Sequence, residues 1–404
     1  MAKAKKKNIK NKPQKTQTDK KEEKEFINVE KLTDKEEEFA VFRKTGFNSF
    51  TSVISVLLGG LCVPIVLAFI ALFIISAIGI SQQQIYDSPL IYCLYSCSAV
   101  LGYGVYVFIL IKWKNKKNTE YYGENKIKQT QFIQAKKCNY KMVLLSVFIA
   151  VMSLVLLNAF VTMTTQGLQG LGYSKSNNLP FKVDCAGNYI LYLVFFCALP
   201  AICEEFLFRG VILGGLLNTC KNHIHGVVAV MISALIFALC HQSAQQFVYP
   251  LIMGMVFGFL YYYTGNIWYS VIAHFASNAL VVTVDFILEL THANIQIATY
   301  TWQYCLVACL LAGIFAVLIY IILKMVRKKY ARESVFDVEA NDIRVNLVYD
   351  NIKESREELK YITNDGIIRY RASMQEKQKT ALIAGICTLV LLFGILIYDL
   401  TLYL

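Results

Sequence analysis

Five polar residues that could activate water and steady a developing negative charge lie inside apolar stretches of this chain: Glu204, Glu205, His241, His274 and Asn278. Ionisable groups within a membrane helix are costly and mark functional sites by default. Glu205 and Arg209 are four residues apart, so on a helix they share a face and can pair, with the acid on the favourable N-terminal side. Glu204 is turned by about 100° from Glu205 and has no partner in its own helix. The spacing thus divides two adjacent acids into one neutralised locally and one left to face another helix. The free acid has the character of a general base that takes a proton from water. Ser270, His274 and Asn278 recur at i, i+4, i+8 and form one stripe of a helix. On that stripe a His and an Asn one turn apart present donors to a single point, which is what an oxyanion requires. His241 closes a separate apolar run, Phe237-Ala238-Leu239-Cys240-His241. Each feature has a plainer counterpart: an interhelical ion pair, a packing histidine, hydrogen-bonding glue between helices. Their concentration in three segments favours chemistry over glue alone. His223, His225 and His292 carry no assigned role, and Asp285 is read as an interfacial residue near Glu289.

The elements that must hold these residues are membrane helices. Of 404 residues 56% are hydrophobic, above the roughly 45–50% of soluble domains. Mean hydropathy is +0.46. The apolar residues fall in nine runs, about 51–80, 90–112, 142–163, 188–218, 225–241, 246–263, 267–290, 303–325 and 381–400. Runs of this length suit a hydrocarbon core of about 30 Å, and the short alternating strands of a membrane barrel are absent. The expected fold is all-α, a polytopic bundle of about nine transmembrane helices. Its expected organisation is a cytoplasmic Lys/Glu-rich tail over 1–46, a membrane bundle over 47–325 with its core at about 188–290, a cytoplasmic polar segment over 326–380 and a final span over 381–404. The long fourth run contains Pro200, a reason for a kink.

Charge gives the bundle an orientation. Lysines crowd the loop between the second and third runs, from Lys112 to Lys141, and Lys324, Arg327, Lys328 and Lys329 follow the eighth. The loops 81–89, 242–245 and 291–302 hold no Lys or Arg. The positive-inside rule then sets the N-terminus in the cytoplasm and, after nine crossings of the cell membrane, the C-terminus outside. Lys175 and Lys182 run against this. The +12 formal charge is accounted for by these flanks, so no nucleic-acid partner is expected; the basic N-terminal stretch could touch anionic lipid headgroups. Most of the 12 cysteines sit within apolar runs, where a free thiol behaves as a small hydrophobe. The polar, Lys-rich first forty residues do not resemble a cleavable signal peptide.

The pattern Glu204-Glu205-x-x-x-Arg209, Phe237-x-x-x-His241 and His274-x-x-x-Asn278 resembles the signature of the CAAX protease and bacteriocin-processing (Abi) family of intramembrane proteases, type II CAAX prenyl endopeptidases among them. The resemblance covers about residues 188–283. It implies that Glu204 activates the attacking water, that His241 helps hold or polarise that water, that Glu205 is a supporting acid within reach of Arg209, and that His274 and Asn278 stabilise the oxyanion. Two Glu and two His could bind zinc, but no HExxH spacing is present, so a glutamate–water mechanism with no required metal is expected. The implied substrate is a membrane-associated peptide or protein, prenylated in eukaryotic members and diverse in bacterial ones. The alternative from another class is a non-catalytic membrane scaffold or bacteriocin-immunity protein that keeps the polar cluster. One tension concerns depth. Counted at 1.5 Å per residue from His225 and Asn266, His241 lies about 24 Å along its helix and His274 only about 12 Å along its own. A later start of the fifth helix, near Val227 to Met231, would reconcile the two.

Overall fold

The computed structural model describes residues 49–122, 134–173, 181–217, 223–292, 302–330 and 364–403. The sequence-based expectations for the 1–46 tail and for 331–363 lie outside these residues. Among the described residues the secondary structure is helical, with no strand. Nine long helices match the nine apolar runs: α1 (49–77), α2 (Pro89–Tyr122), α3 (Tyr140–Gly170), α4 (Ala186–Leu217), α5 (His223–Leu239), α6 (Val248–Thr264), α7 (Ile267–Thr291), α8 (Trp302–Tyr330) and α9 (Asn364–Tyr403). A short helix, Gln82–Asp87, joins α1 to α2 and is opened by a capping box in which Ser81 and Gln84 satisfy each other's backbone amides.

Five of the helices carry stretches long and apolar enough to cross a bilayer: Thr51–Ala77, Pro89–Asn115, Ala186–Leu217, Ile267–Thr291 and Ile383–Tyr403. Four further apolar stretches are shorter, Tyr140–Leu154, Gly226–Leu239, Val248–Thr264 and Leu310–Val326. The expected total of nine crossings is therefore not confirmed as a count. α5 and α6 are each 17 residues long. α9 runs through position 380 without interruption.

The outward faces of α1 and α9 are large and apolar, with Phe69, Phe73 and Val390 each about two-thirds or more exposed. Patches of this kind on a helix bundle are what lipid tails cover. The interior is formed where α4, α5, α6 and α7 meet, around Phe208, Leu213, Val230, Phe237, Phe257 and Tyr261. In α6, Gly254 and Gly258 are spaced as a small-xxx-small pair that lets backbones approach closely. A Cβ on Gly258 would lie 2.8 Å from Val230 Cγ1, and one on Gly254 only 3.3 Å from Ala234 Cα. The absence of two side chains thus presses α6 against α5.

The turn from α6 into α7 is set by two residues. Gly265 takes a left-handed conformation (φ 58°) and closes α6. Asn266 then caps α7, its side chain accepting from the Trp268 amide. Its Nδ2 also donates to the carbonyls of Lys136 and Lys137, which fixes the approach to α3. His274 is carried eight positions into a helix whose start is held in this way.

Candidate active site

α4 is not one regular helix. Its turns widen to π geometry over Leu193–Ala198 and again over Phe206–Leu213, with the α-helical piece Leu199–Glu205 between them. Pro200 sits in the first turn of that piece, where its missing N–H falls at the junction with the widened stretch. Around Pro200, where a kink is expected, the helix changes pitch. Such insertions free carbonyls and recur at functional sites. Here the carbonyls of both stretches receive side chains from neighbouring helices: Ser52 Oγ of α1 donates to Ile212 O at 2.8 Å, Ser233 Oγ of α5 to Phe208 O at 3.3 Å, and Asn278 Nδ2 of α7 to Phe196 O at 3.5 Å.

Glu204 and Glu205 end the piece between these widened stretches and are placed differently. Glu205 is fully buried. Its Oε1 accepts from Arg209 Nη1 at 2.6 Å and from His274 Nδ1 at 2.9 Å. Arg209, itself 1% exposed, also donates through Nη2 to the Gly254 carbonyl at 3.0 Å. Its guanidinium lies 4.5 Å from the ring centre of Phe237 and 5.5 Å from that of Phe257. Stacking between two aromatic faces compensates a desolvated cation. Glu205 Oε2 and Arg209 Nε are buried with no hydrogen-bond partner among the described residues. The pair is thus tightly held but not fully satisfied, which an interior tolerates only at a cost.

Glu204 turns away from this corner, as the 100° rotation requires. Its Oε2 lies 4.0 Å from His274 Nε2. That exceeds hydrogen-bonding distance, so the two groups face a shared point without closing on each other. Tyr103 of α2 and Cys240 at the end of α5 are close enough to interact electrostatically with the same carboxylate.

The tautomers follow from the partners. A carboxylate only accepts, so His274 Nδ1 carries a proton and Nε2 is the atom turned toward Glu204. His274 also stacks on Phe257, with ring centres 5.0 Å apart and planes 20° from parallel. His241 lies in the turn after α5, and its Nδ1 meets the Phe237 carbonyl at 2.8 Å. That nitrogen must be the donor, which leaves Nε2 as an acceptor when the ring is neutral.

The two histidine rings both lie near Phe237, at centroid distances of 4.8 Å for His241 and 6.0 Å for His274. The depth tension is therefore not relieved by a later start: α5 begins at His223, and that expectation is corrected. Both rings nonetheless lie against Phe237, a proximity that counting residues within each helix cannot reveal.

The structure thus brings together Glu204, Glu205, Arg209 and His274. His241 and Asn278 stand at the margin, on Phe237 and on the first widened stretch, and bond neither glutamate directly. Ser270, on the same stripe, turns away and donates to the Phe257 carbonyl at 2.8 Å, binding α7 to α6. Ser277 likewise bonds its own helix at the His274 carbonyl. Two contributors escaped the sequence reading: the Gly254 carbonyl and the Phe257 ring, both from α6. The Gly254-x-x-x-Gly258 spacing was the available signal. Among the described residues no three His, Cys, Asp or Glu side chains are grouped so as to hold a metal ion. Asp285 is half-buried and interacts with Glu289.

Residues 186–280 match the family model described as type II CAAX prenyl endopeptidase Rce1-like. The match runs from the start of α4 into α7 and includes all five residues. Similar curated proteins include the membrane-embedded CAAX protease MroQ of Staphylococcus aureus (strain USA300), 29% identical over 113 residues, which is 28% of this chain and 46% of the relative. Another is the putative membrane peptidase YdiL of Bacillus subtilis (strain 168), 28% identical over 133 residues, or 31% and 53% of the two chains. The chain spans about half the length of the curated relatives it matches. No solved structure matches. Apolar helices and membrane relatives agree that this is a multi-pass membrane protein.

Proposed function

We propose that the chain, whose residues 186–280 match the Rce1-like CAAX endopeptidase family, is an intramembrane endopeptidase that hydrolyses a membrane-associated peptide or protein with water activated by Glu204. The observation that carries this reading is the unequal treatment of two adjacent acids. Glu205 is bound to Arg209 and His274, while Glu204 faces the point it shares with His274 Nε2.

In this scheme Glu204 takes a proton from water as the water oxygen attacks the scissile carbonyl carbon. The new C–O bond pushes the carbonyl electrons onto oxygen, and His274 with Asn278 steadies that charge. Collapse of the tetrahedral intermediate breaks the C–N bond, and Glu204 returns its proton to the leaving amine. Glu205 orients His274 through Nδ1 and Arg209 holds Glu205. Because Nδ1 is committed, His274 can donate from Nε2 only as the imidazolium, and in that form two carboxylates are balanced by two cations in a desolvated cluster. His241 Nε2, an acceptor, is placed to hold the water.

The test is cleavage by purified protein in phosphatidylethanolamine–phosphatidylglycerol liposomes, using quenched-fluorescent peptides with and without a C-terminal farnesylated cysteine. Cleavage that disappears in Glu204→Gln with folding intact upholds the base role. Unchanged cleavage overturns it. The peptide that accumulates in cells carrying Glu204→Gln identifies the substrate. The scheme needs no metal, so activity should survive chelation; activity lost to a chelator and restored by zinc would replace this part of it. A second reading, a non-catalytic scaffold, draws support from the interhelical bonds of Ser270 and Arg209; it gains if Glu204→Gln leaves cellular function intact. The N-in, C-out orientation is tested by labelling single cysteines placed in the loop after α2 and at the C-terminus, from either side.

A further inference from the structure

The end of α9 carries a buried carboxylate that the scheme above does not use. Asp399 is 6% exposed. One of its oxygens, Oδ2, accepts from the Tyr173 hydroxyl at 2.7 Å and from the Ala244 amide at 2.9 Å. Tyr173 follows the end of α3 and is 2% exposed, and its ring lies against Tyr403, centroids 5.6 Å apart. Ala244 belongs to the α5–α6 loop, three residues beyond His241. Three distant parts of the chain therefore meet on one oxygen atom.

The loop they meet in needs holding. α5 ends in tight turns, with the His241 amide donating to Ala238 O and the Gln242 amide to Leu239 O. Gln242 then takes a left-handed conformation at φ 53°, which costs a residue with a Cβ and persists only where its surroundings impose it. Ser243 and Gln245 are buried beside it. Burial, more than the neighbouring Asp399 acceptor, pushes the Tyr173 hydroxyl up to about 12, so it donates at any working pH. A buried carboxylate with two donors is the strong kind of hydrogen-bonded anchor.

We propose that Asp399 is a positioning residue for the reaction: by holding the Ala244 amide it fixes the turn that aims His241 at the site, which makes the C-terminal helix, outside the family-matched segment, part of the working enzyme. The catalytic part of this inference rests on the endopeptidase reading. Hydrogen exchange is therefore measured beside turnover, since it reports the loop whether or not the protein cleaves peptides.

The experiment compares full-length wild type, Asp399→Leu, Asp399→Asn and Tyr173→Phe in liposomes. In Asp399→Leu the amides of 240–247 should exchange about tenfold faster, and kcat on the farnesylated or unmodified peptide should fall about tenfold with KM within about twofold. Asp399→Asn keeps an acceptor oxygen and should restore both readouts to within about twofold of wild type. Tyr173→Phe, which removes one of the two donors on the Asp399 oxygen and so loosens the anchor, should speed exchange about threefold. If Asp399→Leu does not fold, Tyr173→Phe decides, and unchanged exchange there overturns the anchor. Faster exchange with unaltered kcat overturns the positioning role, and an Asn variant as impaired as the Leu variant overturns the hydrogen-bond account. A wild type that cleaves neither peptide strikes the endopeptidase reading and the positioning role with it, while the exchange data still decide whether Asp399 holds the loop.

Discussion

Glu205 and Glu204 are adjacent in the chain, share one helix and both face His274, yet the rest of their surroundings differ. Around Glu205 an arginine of its own helix, together with a histidine, a backbone carbonyl and two aromatic faces from three other helices, closes off solvent and fixes each partner. Around Glu204, His274 Nε2 stands at 4.0 Å, and the Tyr103 phenol and the Cys240 thiol are within electrostatic reach. The first corner is built to keep its shape, and the second is left with unspent hydrogen-bonding capacity. A site that must receive water and a peptide needs both: groups free to react, and a frame that does not relax when they do.

The contrast can be broken from either side. The largest effect is expected at the open corner: Glu204→Gln should lower kcat at least about a thousandfold, the upper part of what a general base supplies, with little change in thermal unfolding. Cleavage in liposomes alongside a melting scan separates the two. At the closed corner Arg209→Met should behave the opposite way, costing about 3–5 kcal/mol of stability because Glu205 is left buried without its cation. Thermal unfolding in detergent reads this, and Glu205→Gln in the same chain should recover part of the loss. Asn278→Ala should lower kcat about a hundredfold with KM unchanged if its amide serves the oxyanion; steady-state kinetics would show a KM effect instead if Asn278 only braces the widened stretch at Phe196. Ser270→Ala should give the smallest change, about 1 kcal/mol in stability for one lost hydrogen bond and turnover within about twofold. A large kcat loss there would return Ser270 to the chemistry.

The division of the two acids was readable from spacing alone, because an i,i+4 pair and a 100° turn are local properties of one helix. The apolar runs were readable for the same reason; six of the nine lie within about five residues of the helices at both ends, while α2, α3 and α9 extend 7 to 17 residues beyond theirs into polar sequence. What spacing could not supply was the identity of partners on other helices. Ser270, His274 and Asn278 do lie on one stripe, yet the stripe divides: His274 turns to the acids, Ser270 to the Phe257 carbonyl, Asn278 to Phe196 O. The role of α6 was invisible to a search for ionisable residues, since it acts through a glycine carbonyl and a phenylalanine ring. Asp399 could not be singled out by spacing, because its donors, Tyr173 and Ala244, lie 226 and 155 residues away. The pitch changes in α4 had one sequence cue, Pro200, and the second of them had none.

The Glu205–Arg209 bond also has a meaning for how the protein is made. A helix bearing three ionisable residues is a poor passenger for the insertion machinery, where each charged side chain at mid-helix costs about 2.5–3.5 kcal/mol. Because acid and base stand one turn apart on the same segment, they can neutralise each other before any other helix has been synthesised. His274 follows Glu205 by 69 residues, a delay of roughly 3–14 s at ordinary translation rates. During that interval the nascent α4 must wait in the bilayer with one of its two carboxylates already quieted and only Glu204 still seeking company.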